Sequence, residues 1–343
     1  MSTVSHALSG KRPVSDATRT KIFEAIAELG YQPSTHAQSL VTGRSRTIGI
    51  LFPLESQEEE TTSLNNTQFE MILQANSVAQ ANGYRLHVFT QAEDKRLLRN
   101  WCRMCDGLLV ASVRLNDTRI DYLIEENYPF VTVGRPAQAN RVAWVDTDFE
   151  DMVMKQISHL FELGHRHILF LDRPERLFLD QFGYIVRARQ GYLKACATLH
   201  LKPIIHACEV STEDGYRTLG TVLDAHPKLT ALAAFNDVAA VGAYYSLLNR
   251  GLRIPEDFSI ITFTSAGFLR SSVPGMTAMN NTGSSVSKTA ADMLLAKLMG
   301  YVVNQTQILV KSELILGWTT GPVRERESKY PRTKVDGLSG AHA

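Results

Sequence analysis

The sequence predicts two α/β lobes, each a parallel sheet with helices on both faces, behind a small all-helical headpiece. From Thr47 onward short apolar runs alternate with stretches of helical spacing, and this alternation starts again at Met152. Such alternation is typical of parallel sheets joined by crossing helices. A chain of 343 residues with 44% hydrophobic content is long and apolar enough to bury two cores.

The headpiece contains one clear helix. Ser15 or Asp16 can cap its start, Gly30 favours a left-handed stop, and Pro33 forbids continuation. A shorter apolar stripe precedes it, and the turn Ser9–Pro13 separates the two. Two short helices joined in this way can place one helix in the major groove of DNA. The stripe of the clear helix consists of Ile22, Ala25, Ile26 and Leu29.

The first lobe is predicted to contain five strands and one long helix. A strand over Ile48–Phe52 leads into an amphipathic helix over Phe69–Asn82, which Gly83 closes. The other strands are predicted over Arg85–Thr90, Gly107–Val113, Phe130–Gly134 and Ala143–Val145.

The second lobe is predicted to contain four strands and four helices. In such sheets ligands bind outside the carboxyl ends of the strands, and a cleft between two lobes can close on a ligand. The strands are predicted over His167–Leu171, Ile204–Glu209, Ala231–Phe235 and Ser259–Phe263. The helices are predicted over Met152–Leu163, Arg187–Thr198, Tyr216–Ala225 and Ala239–Arg250.

The bulk properties favour a soluble, cytoplasmic protein without a membrane partner. The sequence has no charged-then-apolar N-terminal signal and no apolar run near 18 residues. Its net charge of +1 is unevenly distributed, because residues 1–47 and 322–343 are basic and the body between them is acidic. Basic arms on an acidic body suit a polyanion-binding head.

No motif indicates an enzyme, a cofactor or a metal. Cys102 and Cys105 have C-x-x-C spacing, but a zinc site would need a second pair, so a packed thiol at Cys105 is the favoured interpretation. No phosphate-cradling glycine loop, H-E-x-x-H or G-x-S-x-G motif occurs.

Several segments resemble the lactose-repressor (LacI/GalR) family of bacterial transcriptional regulators. In the headpiece, Ser2–Leu8 and Val14–Pro33 follow that family's pattern, and Ala37–Leu40 is similar to its A-R-S-L signature. In the body, Leu160–Ile168 is similar to H-L-x-x-L-G-H-R-x-I, and Thr230–Asp237 follows a particularly specific stretch. The segments Pro129–Arg135 and Val145–Asp148 look most like the glucoside and galactoside branch.

The resemblance divides the chain into four parts. Residues 1–33 would be a partial helix-turn-helix headpiece and residues 34–46 a hinge. Residues 47–321 would be a two-lobed body of the periplasmic-binding-protein type, which binds an effector and dimerises. Residues 322–343 are polar without apolar periodicity, which predicts a disordered tail.

The resemblance also implies DNA-contacting residues. Thr3 and Ser5 match positions that contact the DNA backbone, and Met1, Ser2 and His6 match positions that read bases. Ser39 and Leu40 lie in the hinge signature, where the leucine is the expected wedge in the minor groove.

Two functions remain open at this stage. In the family another helix precedes the segment that matches Ser2–Leu8, so a chain starting at Met1 would have a truncated headpiece. A headpiece this small needs all its helices to hold a core. The first function is a DNA-binding regulator, a repressor, that binds a palindromic operator as a homodimer. The second is a cytoplasmic sugar sensor without effective DNA binding.

Both functions imply a small-molecule effector, a sugar or glycoside, in the cleft. Asn236, Asp148 and Asp151 are the expected amide and carboxylate ligands, and Asp237 completes the family's N-D pair. Capping or loop chemistry at the end of a strand is the alternative role for each.

Two departures from the family pattern concern the same cleft. Ala188 stands where the family often has Arg, so Arg187 or Arg189 is expected to take over from a neighbouring position. The family's G-[FY]-D-D becomes Thr262–Ser265, which replaces a ligand-binding carboxylate. Thr264 can still form hydrogen bonds with a ligand, and Phe263 can stack or pack.

Overall fold

Two six-stranded sheets form the body of the protein. The computed structural model describes residue 3 and residues 14–29, 44–53, 66–90, 94–264 and 272–324. Each sheet carries helices on both faces, so the predicted two-lobed α/β body is confirmed.

Helix α1 (Asp16–Glu28) is the described helix of the headpiece region. Ser15 caps it, because its hydroxyl oxygen accepts a hydrogen bond from the N–H of Thr18 (3.4 Å), and its carbonyl oxygen accepts the first helical bond from the N–H of Arg19 (2.9 Å). Leu29, which the sequence places on the apolar stripe, is 80% exposed. Gly30 and Pro33 lie outside the described residues.

The first lobe contains six parallel strands. In spatial order they are β11 (Gln307–Val310), β5 (Trp144–Thr147), β4 (Phe130–Val133), β3 (Gly107–Ala111), β1 (Thr47–Leu51) and β2 (Arg85–Phe89). Helices α2 (Asn66–Ala81) and α10 (Gly283–Met299) pack on one face. Helices α3 (Lys95–Met104) and α4 (Thr118–Glu125) pack on the other.

The second lobe repeats this plan, except that one edge strand is antiparallel to its neighbour. In spatial order its strands are β12 (Leu314–Ile315), β10 (Ala278–Asn280), β9 (Ser259–Thr264), β8 (Ala231–Ala234), β6 (Ile168–Asp172) and β7 (Ile205–Ala207). Its helices are α5 (Phe149–Glu162), the short α6 (Glu175–Leu179), α7 (Gly183–Thr198), α8 (Thr212–Ala225) and α9 (Asp237–Asn249). Helices α5 and α7 cover one face, and α8 and α9 cover the other.

The chain crosses between the lobes three times, at β5–α5, at β10–α10 and at β11–β12. Hydrogen bonds join these crossings: the hydroxyl oxygens of Thr147 and Thr282 are 2.7 Å apart, and the N–H of Asp148 donates to Val310 O (3.0 Å). The alternation pattern suggested one lobe after the other and did not reveal that α10 and β11 return to the first lobe. The return of the chain to the first lobe is decided by long-range strand pairing and helix packing, which the local spacing of apolar residues does not predict.

The cysteines are free thiols. Cys105 is 6% exposed within the core under α3 and α4, so the expected packed thiol is confirmed. Across the ranges given above, no group of three or more His, Cys, Asp and Glu side chains is arranged to hold a metal ion. None of the described helices is both long enough and apolar enough to cross a membrane.

Candidate functional site

A cavity lies between the two lobes. The first lobe lines it with the ends of β3, β4 and β5 and the starts of α2 and α10. The second lobe contributes the ends of β6, β8 and β9 and the starts of α5 and α7. The cavity therefore lies outside the carboxyl ends of the strands, where the sequence places a ligand site.

Four aromatic rings form one wall of this cavity, those of Phe149, Tyr184, Phe235 and Phe263. Phe235 and Phe263 stack with centroids 5.6 Å apart, and Phe149 stands edge-on to both at 5.7 and 6.1 Å. Phe263, a predicted site residue, is 7% exposed. A rigid aromatic wall offers an apolar surface to the face of a ligand ring.

Asp146 and Arg187 bring opposite charges to the cavity from different lobes. Arg187 Nη1 is 3.7 Å from Asp146 Oδ2, and the two residues are 7% and 4% exposed. Asp146 Oδ2 accepts a hydrogen bond from the N–H of Arg135 (3.0 Å), while Arg187 Nη2 donates to Arg135 O (2.5 Å). Burial raises the pKa of Asp146 to about 6, although the Arg187 charge opposes the change.

Arg173 adds a second guanidinium to the cavity. It directly follows β6, is 6% exposed, and lies 5.9 Å from the ring centroid of Tyr184. Its Nε donates to Phe235 O (3.3 Å), which fixes the guanidinium beside the aromatic wall.

Backbone hydrogen bonds join the lobes at the edge of the cavity. The N–H of Gly183 donates to Val113 O (2.9 Å), and the N–H of Leu115 donates to Gln181 O (2.8 Å). Arg114 and Phe182 form the antiparallel bridge between these bonds. We call residues 113–115 and 181–183 the clasp. It holds the lobes together beside Ser112, a cavity residue with the left-handed φ of 47°.

Of the two candidate arginines, only Arg187 lines the cavity. Arg189 donates from Nε to Asp172 Oδ2 (2.7 Å) and from its Nη atoms to the Glu175 carboxylate (3.0 and 2.7 Å). Positions two apart on a helix point in nearly opposite directions, since each residue rotates by about 100°. The same helix therefore turns one arginine toward the cavity and the other away.

Asn236, Asp237 and Thr264 do not line the cavity. Asn236 is fully buried and caps α9, since its Oδ1 accepts from the N–H of Ala239 (3.1 Å). Its amide nitrogen donates to the carbonyl oxygens of residues 208 and 209. Asp237 Oδ2 accepts from the Thr264 hydroxyl (3.0 Å). Asn236 and Asp237 therefore have the capping and loop contacts that the sequence analysis gave as the alternative to ligand binding.

Asp148 and Asp151 also lie outside the cavity lining. Asp148 Oδ1 accepts from the N–H of Asp151 (3.2 Å) and so caps α5. Asp151 pairs with Lys155, with Oδ2 and Nζ 2.7 Å apart. Both carboxylates stabilise the first turn of the helix that follows a lobe crossing.

The sequence analysis missed most of the polar lining. Three lining residues lie at the end of a strand or directly after one: Asp146 in β5, Phe235 after β8 and Arg173 after β6. The rule that ligands bind at the carboxyl ends of strands could have identified all three. Asn281 follows β10, a strand that the sequence analysis did not predict, and Tyr184 lies at the start of α7 without such a signal.

The described residues cover little of the expected DNA-contacting set. Thr3 is helical and exposed. Met1, Ser2, Ser5, His6, Ser39 and Leu40 lie outside the described residues.

Two family models match the chain. The model of bacterial regulatory proteins of the lacI family matches residues 1–34, and the model of the periplasmic binding protein-like domain matches residues 157–320. The chain therefore combines a LacI-family segment at its N-terminus with a periplasmic binding protein-like domain in its body, and its relatives are LacI-family regulators. The transcriptional regulator AglR of Rhizobium meliloti is 28% identical over 94% of this chain and 92% of its own length.

Solved structures of family members share the fold. The structure of the Lac repressor dimer bound to operator and the anti-inducer ONPF covers 93% of this chain and 94% of its own, with a TM-score of 0.79 and 23% identity. The structure of the transcriptional regulator CelR in complex with cellobiose covers 92% and 95%, with a TM-score of 0.69 and 23% identity.

Proposed function

We propose that this LacI-family protein is a transcriptional repressor that binds a palindromic operator as a dimer and is switched by a sugar in the cleft. The observation that carries the proposal is the cavity between two lobes, lined by an aromatic wall and by charged groups from both sides. A site shared by two lobes makes ligand affinity depend on how the lobes are arranged.

The family relationship supports the DNA-binding part. The lacI-family match at residues 1–34 coincides with the segment that resembles a helix-turn-helix headpiece. We assign the DNA contacts to Ser2, Thr3, Ser5 and His6, and the minor-groove wedge to Leu40 with Ser39 beside it. A dimer places two headpieces on the two half-sites of a palindrome. The related Lac repressor is a dimer bound to operator.

The cleft supports a sugar as the effector. Pockets for small ligands combine an apolar wall with a few placed polar groups, and the aromatic wall with Asp146 and Arg187 has that composition. The related regulator CelR holds cellobiose. In this proposal, ligand binding changes the arrangement of the lobes, and residues 34–46 pass the change on to the spacing of the headpieces. Since the two sites are coupled, each ligand changes the affinity for the other by the same factor.

Operator selection tests this proposal. The full chain is used to select sites from a random duplex library, and fluorescence anisotropy then measures its affinity for the selected site at increasing salt, with and without sugars. We expect a palindromic site, a steep loss of affinity with salt, and a sugar-dependent change. Equal binding to all duplexes at low salt would contradict the DNA-binding part.

A further inference from the structure

We propose that the effector is a sugar that carries one oxyanion, either a carboxylate or a phosphate, and that this group binds Arg187. The inference rests on the proposed function, since it names the chemical class of the ligand for the same cavity. It is carried by the hydrogen bonding of Arg187 and by the charge of the cavity lining.

Arg187 has an unused donor at the cavity. Its side chain is buried, and Nη1 has no hydrogen-bond partner. Nη2 already donates to Arg135 O, and Asp146 Oδ2 at 3.7 Å is too far from Nη1 for a hydrogen bond. A buried unsatisfied N–H is costly, and an oxyanion is the acceptor that satisfies a guanidinium best, through short charge-assisted bonds.

The charge of the lining favours an anion. Among the cavity-lining side chains that the structure describes, Arg173 and Arg187 are cationic and Asp146 alone is acidic. The neighbouring Asp172 does not line the cavity; it is 0% exposed and pairs with Arg189. One ligand anion would therefore neutralise the excess positive charge of the cavity surface.

Asp146 is poorly placed to be the main acceptor for a neutral sugar. Its Oδ2 already accepts from the N–H of Arg135, and the N–H of Thr147 also bonds to this carboxylate. The remaining polar side chains around the cavity include the hydroxyls of Thr67, Ser112 and Thr147, which can donate to ring oxygens or the anion. The aromatic wall supplies the surface for the ring itself.

Calorimetric titration of the full chain with matched sugars tests the proposal. The probes are D-galactose, D-galacturonate and D-galactose 6-phosphate, together with the same three forms of D-glucose. We expect a carboxylate or a phosphate form to bind at least about tenfold more tightly than its neutral parent, and the two anionic forms separate the two sources of the oxyanion. Equal or tighter binding of a neutral parent, or no binding of any anionic form, overturns the proposal.

Three variants locate the anion. Arg187→Met should weaken binding of the anionic sugar by about tenfold or more, whereas Arg217→Met, an exposed arginine of the same lobe, should leave it unchanged. Asp146→Asn removes the like charge and should tighten anion binding several-fold. Weaker binding by Asp146→Asn would instead assign Asp146 as the acceptor for a ligand hydroxyl and overturn the proposal.

Operator binding measured on the same preparations separates this inference from the proposed function. If the chain binds its operator and responds only to neutral sugars, the proposed function stands and the inference of an anionic sugar is wrong. If the chain binds an acidic sugar at Arg187 and shows no preference for any DNA site, the inference stands and the proposed DNA-binding function is wrong.

Discussion

Arg187 and Asp146 reach the cavity from opposite lobes, and their charged groups lie 3.7 Å apart. Asp146 is on β5 of the first lobe, and Arg187 is on α7 of the second. Both are buried in this arrangement of the lobes, and in a buried site each charge needs the other to offset its loss of water. The pair therefore links the arrangement of the lobes to the chemistry of the site.

Gly183→Ala should weaken ligand binding by about tenfold, because a Cβ at this position would displace the guanidinium of Arg187 from its place at the cavity. A Cβ at Gly183 would lie 2.5 Å from Arg187 Nη1 and 3.2 Å from Val113 O. The substitution would move the Arg187 side chain and crowd the Val113 carbonyl across the clasp, while favouring the helix itself. Calorimetry with the best-bound sugar measures the effect. Gly220→Ala is the control, since the nearest atom to its Cβ would be 3.5 Å away.

Asn236→Ala should destabilise the second lobe by roughly 1–2 kcal/mol, because it removes the cap of α9 and two hydrogen bonds to the carbonyl oxygens of residues 208 and 209. Asn249→Ala, at the exposed end of the same helix, should change stability little. Urea denaturation measures both. The ligand affinity of Asn236→Ala should stay within about threefold of the original. A selective loss of ligand affinity without destabilisation would return Asn236 to the ligand site.

His165 should make the protein less stable in mild acid. It is 2% exposed, contacts Thr230 and Ser259 through its ring nitrogens and bonds to Gly321 O, and burial lowers its pKa to about 4. In the unfolded chain the pKa is higher, so the unfolded state binds the proton first as pH falls below 6.5.

The stability that neutral His165 provides is therefore lost between about pH 6.5 and pH 4. Between pH 7 and pH 5 the original protein should lose roughly 2 kcal/mol more than His165→Gln. Urea denaturation of both proteins at the two pH values measures the difference. If both proteins lose the same free energy of unfolding, the imidazole of His165 has the same pKa in the folded and the unfolded chain.

Leu40→Ala should lower operator affinity by at least about tenfold if Leu40 is inserted into the minor groove. Binding of the cleft ligand should remain, because the substitution lies in residues 34–46. Leu316→Ala is a matched control, since Leu316 is 70% exposed in the second lobe. Anisotropy with the selected operator compares the two. Similar operator affinity for both variants would remove Leu40 from the DNA interface.

Most of the sheet core was predictable from the sequence, and the reasons are local. Strands such as β3 and β6 are fully buried, so each is a continuous apolar run whose ends differ from the prediction by a residue or two. Helix α3 escaped detection because most of it is polar and Leu98 is its single buried residue. The place of helix α10 in the first lobe was not predicted, because it depends on long-range packing against α2.

The site was less predictable than the fold. Sequence alone could not choose between Arg187 and Arg189, because the choice depends on which face of α7 meets the first lobe. It also could not separate a capping role of Asn236 from a ligand role, since both use the same atoms at the end of a strand. The resemblance to the family pattern at Thr262–Ser265 pointed to Phe263, which lines the cavity from the second-last position of β9.

The most direct test of the account locks the lobes without a ligand. Leu115 and Gln181 oppose each other in the clasp, so Leu115→Cys with Gln181→Cys places two thiols at a spacing suited to a disulfide. Operator affinity is then measured by anisotropy for the oxidised and the reduced protein. The account predicts a difference of at least about fivefold, in the same direction as the effect of the cleft ligand. Equal operator affinity in the two states would contradict coupling between the cleft and DNA binding.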